Sequence, residues 1–181
     1  MIFITLFWIV FLAILIFELR ILSRSKKSKQ DRGSMVFILV GIFLPIVIVL
    51  LLNYFKFGII DKIFIRYLGL GVLIFGFILR QWAILILGRF FVPVVKLQKN
   101  QKVIDKGPYK YLRHPSYTGL LFELIGFSLG LSNLTGLFFV LALFLPTIIY
   151  RIRVEEKFLS QHLAGYSEYT AKTWRLIPLI Y

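Results

Sequence analysis

The chain has 181 residues, 59% apolar and 17% aromatic, with 22 basic and 8 acidic side chains giving a net charge of +14. The apolar share exceeds the roughly 45–50% of a soluble domain, and too little polar sequence remains to cover a water-facing surface. There is no cysteine, which excludes a disulfide framework, a thiol nucleophile and a thiolate metal site.

In chain order, Ile2 to Leu22 is apolar until Glu18 and Arg20. At ~1.5 Å per residue it reaches about 30 Å, the thickness of a bilayer core. A basic cluster follows it rather than precedes it, which predicts a retained helix with its N-terminus outside and not a cleaved leader. Ser23–Arg32 reads as a short solvated basic loop. Met35–Phe55 is a second span, with Pro45 as a kink, and Ile63–Leu87 a third, interrupted late by Arg80, Gln81 and Trp82. Gly88–Arg113 breaks the pattern with Pro93, Gly107, Pro108 and seven basic residues.

Two further apolar stretches, Tyr117–Leu131 and Leu137–Tyr150, are each short for a complete span and are separated by Ser-Asn-Leu-Thr-Gly. Starting the first at Pro115, a favourable first helical residue, and ending the second near Arg153 predicts a helical hairpin that crosses and returns. The last thirty residues are amphiphilic and read as interfacial. The expected fold is an all-α integral membrane protein of about five transmembrane helices, the last two a hairpin. Residues 1–62 would form an N-terminal pair of helices with its basic loop, and 63–181 the core.

Charge supports this topology. Arg20–Arg32 carries six Lys/Arg, Gly88–His114 seven and Arg151–Tyr181 five, all on one side of a five-span model. The opposite loops hold only Lys56 and Lys62. The basic side is therefore expected to be cytoplasmic, near anionic lipid, and no nucleic-acid partner is implied. Gly119, Gly126 and Gly130 lie on nearly one face of the fourth helix and predict a close helix neighbour.

Polar residues cluster where the hairpin opens. Gly107-Pro108-Tyr109-Lys110-Tyr111-Leu112-Arg113-His114-Pro115-Ser116-Tyr117-Thr118-Gly119 enters the fourth helix, and Arg151-Ile152-Arg153-Val154-Glu155-Glu156-Lys157 leaves the fifth. A hairpin brings its open ends together, so these stretches should be neighbours at one membrane–water boundary. Such a group suits a zwitterionic ligand. Arg113 would hold a carboxylate, Glu155 or Glu156 an amine or diol, and tyrosine rings a sulfonium or a purine. An ordinary interfacial belt of Tyr, Arg and Glu is the competing interpretation of the same residues. His114 and His162 are distant and lack metal-site spacing, so no metal is expected. Glu123, an acid inside the fourth helix, is expected to pair with Arg80 or Arg66, or to line a tunnel.

The string GPYKYLRHPSYTG, followed after a hydrophobic hairpin by RIRVEEKFL and GYSEY…WRLIP, resembles the isoprenylcysteine carboxyl methyltransferase family. This group of small membrane methyltransferases includes related phospholipid methyltransferases. The resemblance covers Arg80 to Pro178. The tail's Leu163-Ala164-Gly165-Tyr166 differs from the Phe-Gly-x-x-Tyr common in eukaryotic members and is closer to the prokaryotic branch.

The resemblance implies a carboxyl-O-methyltransferase-like enzyme using S-adenosylmethionine, held at the cytoplasmic end by the connecting loop, hairpin and C-terminal segment. A lipophilic acceptor would enter from the bilayer. His114 and Tyr117 would contact the cofactor, with Tyr109, Arg113, Pro115, Gly119 and Glu156 around it. Arg151, Arg153, Glu155 and Glu156 would lie at the junction of cofactor and acceptor. An NADPH-dependent membrane reductase of the sterol-reductase type and a non-catalytic membrane protein are the alternatives.

Overall fold

A computed structural model describes residues 2–23, 33–60, 62–178 and 181. The helices are α1 (Ile2–Ser23), α2 (Ser34–Tyr54), α3 (Ile63–Leu87), α4 (Pro115–Gly130), α5 (Leu134–His162) and the short α6 (Tyr166–Thr170). The basic loop 24–32 expected from sequence lies outside the described residues.

Among the described residues, four helices, α1, α2, α3 (with the turn to Phe90) and α5, are long and apolar enough to cross a bilayer. Their outward faces stay apolar, with Ile9, Val36, Phe64, Ile78 and Phe138 among the exposed side chains. An apolar exterior of this kind is stable only in lipid. The fifth expected crossing, α4, has 16 residues. At ~1.5 Å per residue that is about 24 Å, short of a full bilayer core. Twelve of its residues are buried, so α4 is sheathed by its neighbours instead of facing lipid. The protein is an all-helical integral membrane protein.

Small residues set how α4 docks. A Cβ on Gly76 of α3 would stand 2.6 Å from the Glu123 nitrogen and the Gly119 carbonyl. A Cβ on Gly119 would meet Gly76 O at 2.6 Å, and one on Gly126 would collide with the Leu73 backbone. The glycine face therefore seats α4 directly on α3, backbone against backbone, while its hairpin partner α5 packs mainly along α2. Phe7 and Phe11 of α1 close the other side, the Phe11 and Phe127 rings stacking at 4.4 Å.

The α4–α5 turn is tied to the α2–α3 connection at one end of the bundle. Ile60 N donates to Ser132 O at 2.8 Å, Leu134 N to Gly58 O at 3.1 Å, and Asn53 Nδ2 to Leu131 O at 3.1 Å. Asn133 caps α5, its Oδ1 accepting from Gly136 N at 2.7 Å. This anchoring leaves the start of α4 and the last turns of α5 side by side at the opposite end. There α5 runs to His162, nine residues beyond the expected stop at Arg153.

Candidate functional site

Pro115 opens α4 as its sequence position requires, and the C-terminal segment is stitched onto the chain that leads into it. Trp174 N donates to Tyr111 O at 2.9 Å, Arg113 N to Trp174 O at 2.7 Å and His114 N to Arg175 O at 3.1 Å. Thr118 Oγ1 adds a bond to Leu176 O at 2.7 Å. From α6, the Tyr169 hydroxyl donates to Tyr109 O at 2.7 Å. These bonds tie the short 3-10 turn Gly107–Lys110 and the residues after it to the C-terminal segment, satisfying backbone groups that the turn leaves over.

Two adjacent carboxylates of α5 meet this loop. Glu156 gathers Arg113 Nη1 at 3.0 Å, Arg175 Nε at 2.9 Å and His114 Nε2 at 3.3 Å. Glu155 Oε2 accepts from the Tyr117 hydroxyl at 2.8 Å. Arg151, only 1% exposed, points its fork three ways. Nε donates to the Tyr117 hydroxyl at 3.1 Å, Nη1 to Ser34 Oγ at 2.5 Å and Nη2 to Pro93 O at 2.7 Å. The His114 and Tyr117 rings stack at 5.5 Å. The two ends of the hairpin therefore touch, as its geometry demands.

Beside these groups lies a cavity that is partly open to the outside. Arg113, His114, Tyr117, Glu155 and Tyr109 line it, together with Tyr166 and Tyr169. Residues 90–96 and 101–104 wall it from the connecting loop, and Ile21, Leu22, Met35, Ile38 and Ile42 bring in α1 and α2. Burial raises the Tyr109 hydroxyl well above its ordinary value, and the nearby Glu155 adds to the effect. Tyr166 is raised by burial and then by Glu155 and Glu156. Burial likewise raises Tyr169. All three line the pocket as neutral donors. Arg175, outside the bundle, has its guanidinium held charged mainly by the hydrogen bond to Glu156.

Of the residues singled out from sequence, Tyr109, Arg113, His114, Tyr117 and Glu155 line the cavity, and Glu156 gathers Arg113, Arg175 and His114 beside them. Arg151 is a buried brace beneath Tyr117. Pro115 is buried at the helix start, Gly119 lies against Gly76 and Arg80, and Arg153 is exposed.

Comparison with known proteins gives the arrangement a family. Residues 68–161 match the isoprenylcysteine carboxyl methyltransferase (ICMT) family. The chain belongs to this family.

Among similar proteins is the probable protein-S-isoprenylcysteine O-methyltransferase of Oryza sativa subsp. indica, 35% identical over 121 residues. That match spans 65% of this chain and 63% of the rice protein. The protein-S-isoprenylcysteine O-methyltransferase of Saccharomyces cerevisiae is 33% identical over 132 residues, spanning 71% of this chain and 55% of the yeast protein. A solved structure of the eukaryotic intramembrane Ras methyltransferase ICMT superposes with a TM-score of 0.63 at 28% identity. It covers 78% of this chain and 52% of that one. This ICMT-family chain thus matches between about half and two thirds of the length of these relatives.

Sequence reasoning missed several participants. Ser34 and Pro93 hold Arg151 from remote segments, and only folding reveals them. Arg175 could have been flagged as the cation inside the family-like WRLIP string. Glu18 was legible as an acid near the end of a span, yet its partner was not. Arg80 gives Nε and Nη2 to the two Glu18 oxygens, each at 2.6 Å, and Nη1 to Ser116 Oγ at 2.9 Å. Of the roles expected for Glu123, a direct bond to Arg80 does not form, because Glu18 of α1 takes that guanidinium, whereas Glu123 does line an interior cavity. Glu123 Oε1 is buried with no hydrogen-bond partner.

Proposed function

We propose that this chain is a membrane methyltransferase that uses S-adenosylmethionine to methylate a lipophilic acceptor, in the manner of a carboxyl-O-methyltransferase. The observation that carries this reading is the meeting of Arg113, His114 and Tyr117 with Glu155 and Glu156 on one cavity. Family membership and the names of the relatives support it.

The residues present suit such a cofactor. Arg113 lines the cavity and its Nε is buried without a hydrogen-bond partner, which leaves a cationic donor for a carboxylate. Glu155, whose side chain is 27% exposed, offers a carboxylate to an amine or a diol. The Tyr109, Tyr117, Tyr166 and Tyr169 side chains supply ring faces and edges against a sulfonium or a purine. When bound, the cofactor supplies an electrophilic methyl group. The chain's own task is to orient and desolvate: Arg151 fixes Tyr117 and Glu155, Glu156 fixes Arg113 and His114, and the apolar walls exclude water. An anionic acceptor, such as an isoprenylcysteine-like or lipid carboxylate, needs alignment more than deprotonation. The basic flanks support a cytoplasmic orientation for the cavity mouth, with the lipid tail of the acceptor lying toward the bilayer.

Binding of labelled S-adenosylmethionine to the detergent-purified protein tests the reading. His114→Ala and Glu156→Gln are expected to weaken binding at least tenfold. His162→Ala, at an exposed residue stacked on Phe158, is expected to leave it unchanged. Saturable NADPH binding without S-adenosylmethionine binding would overturn the assignment in favour of a reductase.

A further inference from the structure

A second, narrow cavity lies deeper in the bundle between α1, α2, α3 and α4. Its wall is apolar, including Phe11, Ile14, Phe43, Leu73 and Phe127, except for Glu18, Arg80 and Glu123. Leu22, Ile42, Arg80 and Leu120 line both cavities, so the two adjoin. Glu18 and Arg80 satisfy one another and Ser116. Glu123 is different. It is 5% exposed, faces this chamber, and its Oε1 has no partner.

A buried carboxyl oxygen without a hydrogen bond costs about 1–3 kcal/mol, and an acid inside the bilayer is costly in its own right. Both forms of a carboxyl group accept a hydrogen bond, so a neutral donor on the occupant relieves that cost whichever form is present. A cationic donor is disfavoured by the adjacent Arg80 guanidinium. Glu123 stands six residues beyond Tyr117 on α4, about 9 Å further along the helix axis at ~1.5 Å per residue.

We infer that this deep chamber receives the hydrocarbon chain of the methyl acceptor and that Glu123 selects chains carrying a hydroxyl group part-way along their length. This rests on the methyltransferase reading for the acceptor's head, but the chamber's preference is measured separately. The single buried oxygen acts as a specificity-determining acceptor in an otherwise featureless apolar slot. An all-hydrocarbon tail fills the same volume and leaves that oxygen unpaired.

Two probes differing by one hydroxyl test this: stearate and a mid-chain hydroxystearate, bound to the full-length protein in detergent. Wild type is expected to bind the hydroxylated chain about tenfold more tightly, roughly the worth of one buried hydrogen bond. Glu123→Leu is expected to abolish or invert the preference, and Glu123→Gln, which keeps an accepting oxygen, to retain part of it. Size-exclusion chromatography checks that each variant is folded. Should Glu123→Leu not fold, the wild-type ratio still decides, because equal binding of the two probes overturns the inference. A preference that persists in folded Glu123→Leu also overturns it. Methyl transfer to the two probes should show the same ratio; preference in binding without preference in transfer would assign the chamber to a bystander lipid and overturn the assignment to the acceptor. A wild type that prefers hydroxystearate yet binds no S-adenosylmethionine would sink the methyltransferase reading and leave the chamber's selectivity standing.

Discussion

The two adjoining cavities handle charge in opposite ways. At the end of the bundle, Glu155 and Glu156 are each bonded to loop, helix or tail partners, and Arg151 spends its whole fork on Ser34, Pro93 and Tyr117. Deeper in, one acid of the pair Glu18 and Glu123 is fully matched by Arg80 and the other has an oxygen with nothing to bond. The upper cluster is a preorganised polar site whose parts hold each other in place. The lower one is an apolar slot with a single unsatisfied group, which is how selectivity is built when binding energy comes mainly from hydrocarbon.

That contrast is open to attack. The largest effect is expected at Arg151→Ala, which takes the cation away from Tyr117 and Glu155 and leaves the buried Ser34, Pro93 and Tyr117 acceptors without their donor. Thermal or denaturant unfolding in detergent should show a loss of about 3–5 kcal/mol. A loss below about 1 kcal/mol would mean that the upper cluster is not braced from beneath. Next, Arg80→Met should cost about 3 kcal/mol, largely by leaving Glu18 buried and alone, and adding Glu18→Leu should recover the part owed to that ion pair while the Ser116 bonds stay lost. Failure of the second change to rescue the first would show that Arg80 matters mainly through Ser116.

Gly126→Ala is expected to destabilise by about 1–3 kcal/mol, because its Cβ would run into the Leu73 backbone and lever α4 off α3. Gly71→Ala, where a Cβ meets nothing within 4 Å, should be neutral or slightly stabilising. The smallest effect concerns alkaline pH. Tyr109, Tyr166 and Tyr169 are raised above the ordinary tyrosine value of about 10. In that range the unfolded chain loses these protons while the folded one keeps them, so stability should fall as pH rises above about 10. Phenolate absorbance should show these three titrating after the exposed tyrosines, and Tyr109→Phe should reduce the late fraction.

Much of this was legible in the residues. Runs of about twenty apolar side chains are compatible only with a bilayer, and the interrupted stretch from Pro115 to near Arg153 read as a helical hairpin, of which α4 is the arm too short to cross fully. Because a hairpin's open ends must meet, Arg113-His114 and Glu155-Glu156 could be placed together before any coordinates. Charge counting grouped the basic segments at one end, and the helix ends that flank them, at Glu18, Ser34, Arg80 and Arg151, do lie together there. The glycine face of α4 announced a close neighbour without naming it. Helix length was less well marked, since α5 continues through Glu155 and Glu156 to His162 where charge density had suggested an end.

Local pattern and chain connectivity thus settle membrane insertion, the hairpin and the meeting of its ends, because each depends on hydrophobic length and on a turn only a few residues long. Partner choice inside the bundle is a matter of helix rotation and depth. A rotation of one residue, or a shift of one turn, decides whether Arg80 faces Glu18 or Glu123, and whether Ser34 and Pro93 reach Arg151. Such alignments are set by how glycines let α4 sink onto α3 and how phenylalanines seat α1 against α4. Those are contacts between segments far apart in the chain, and packing alone selects among them.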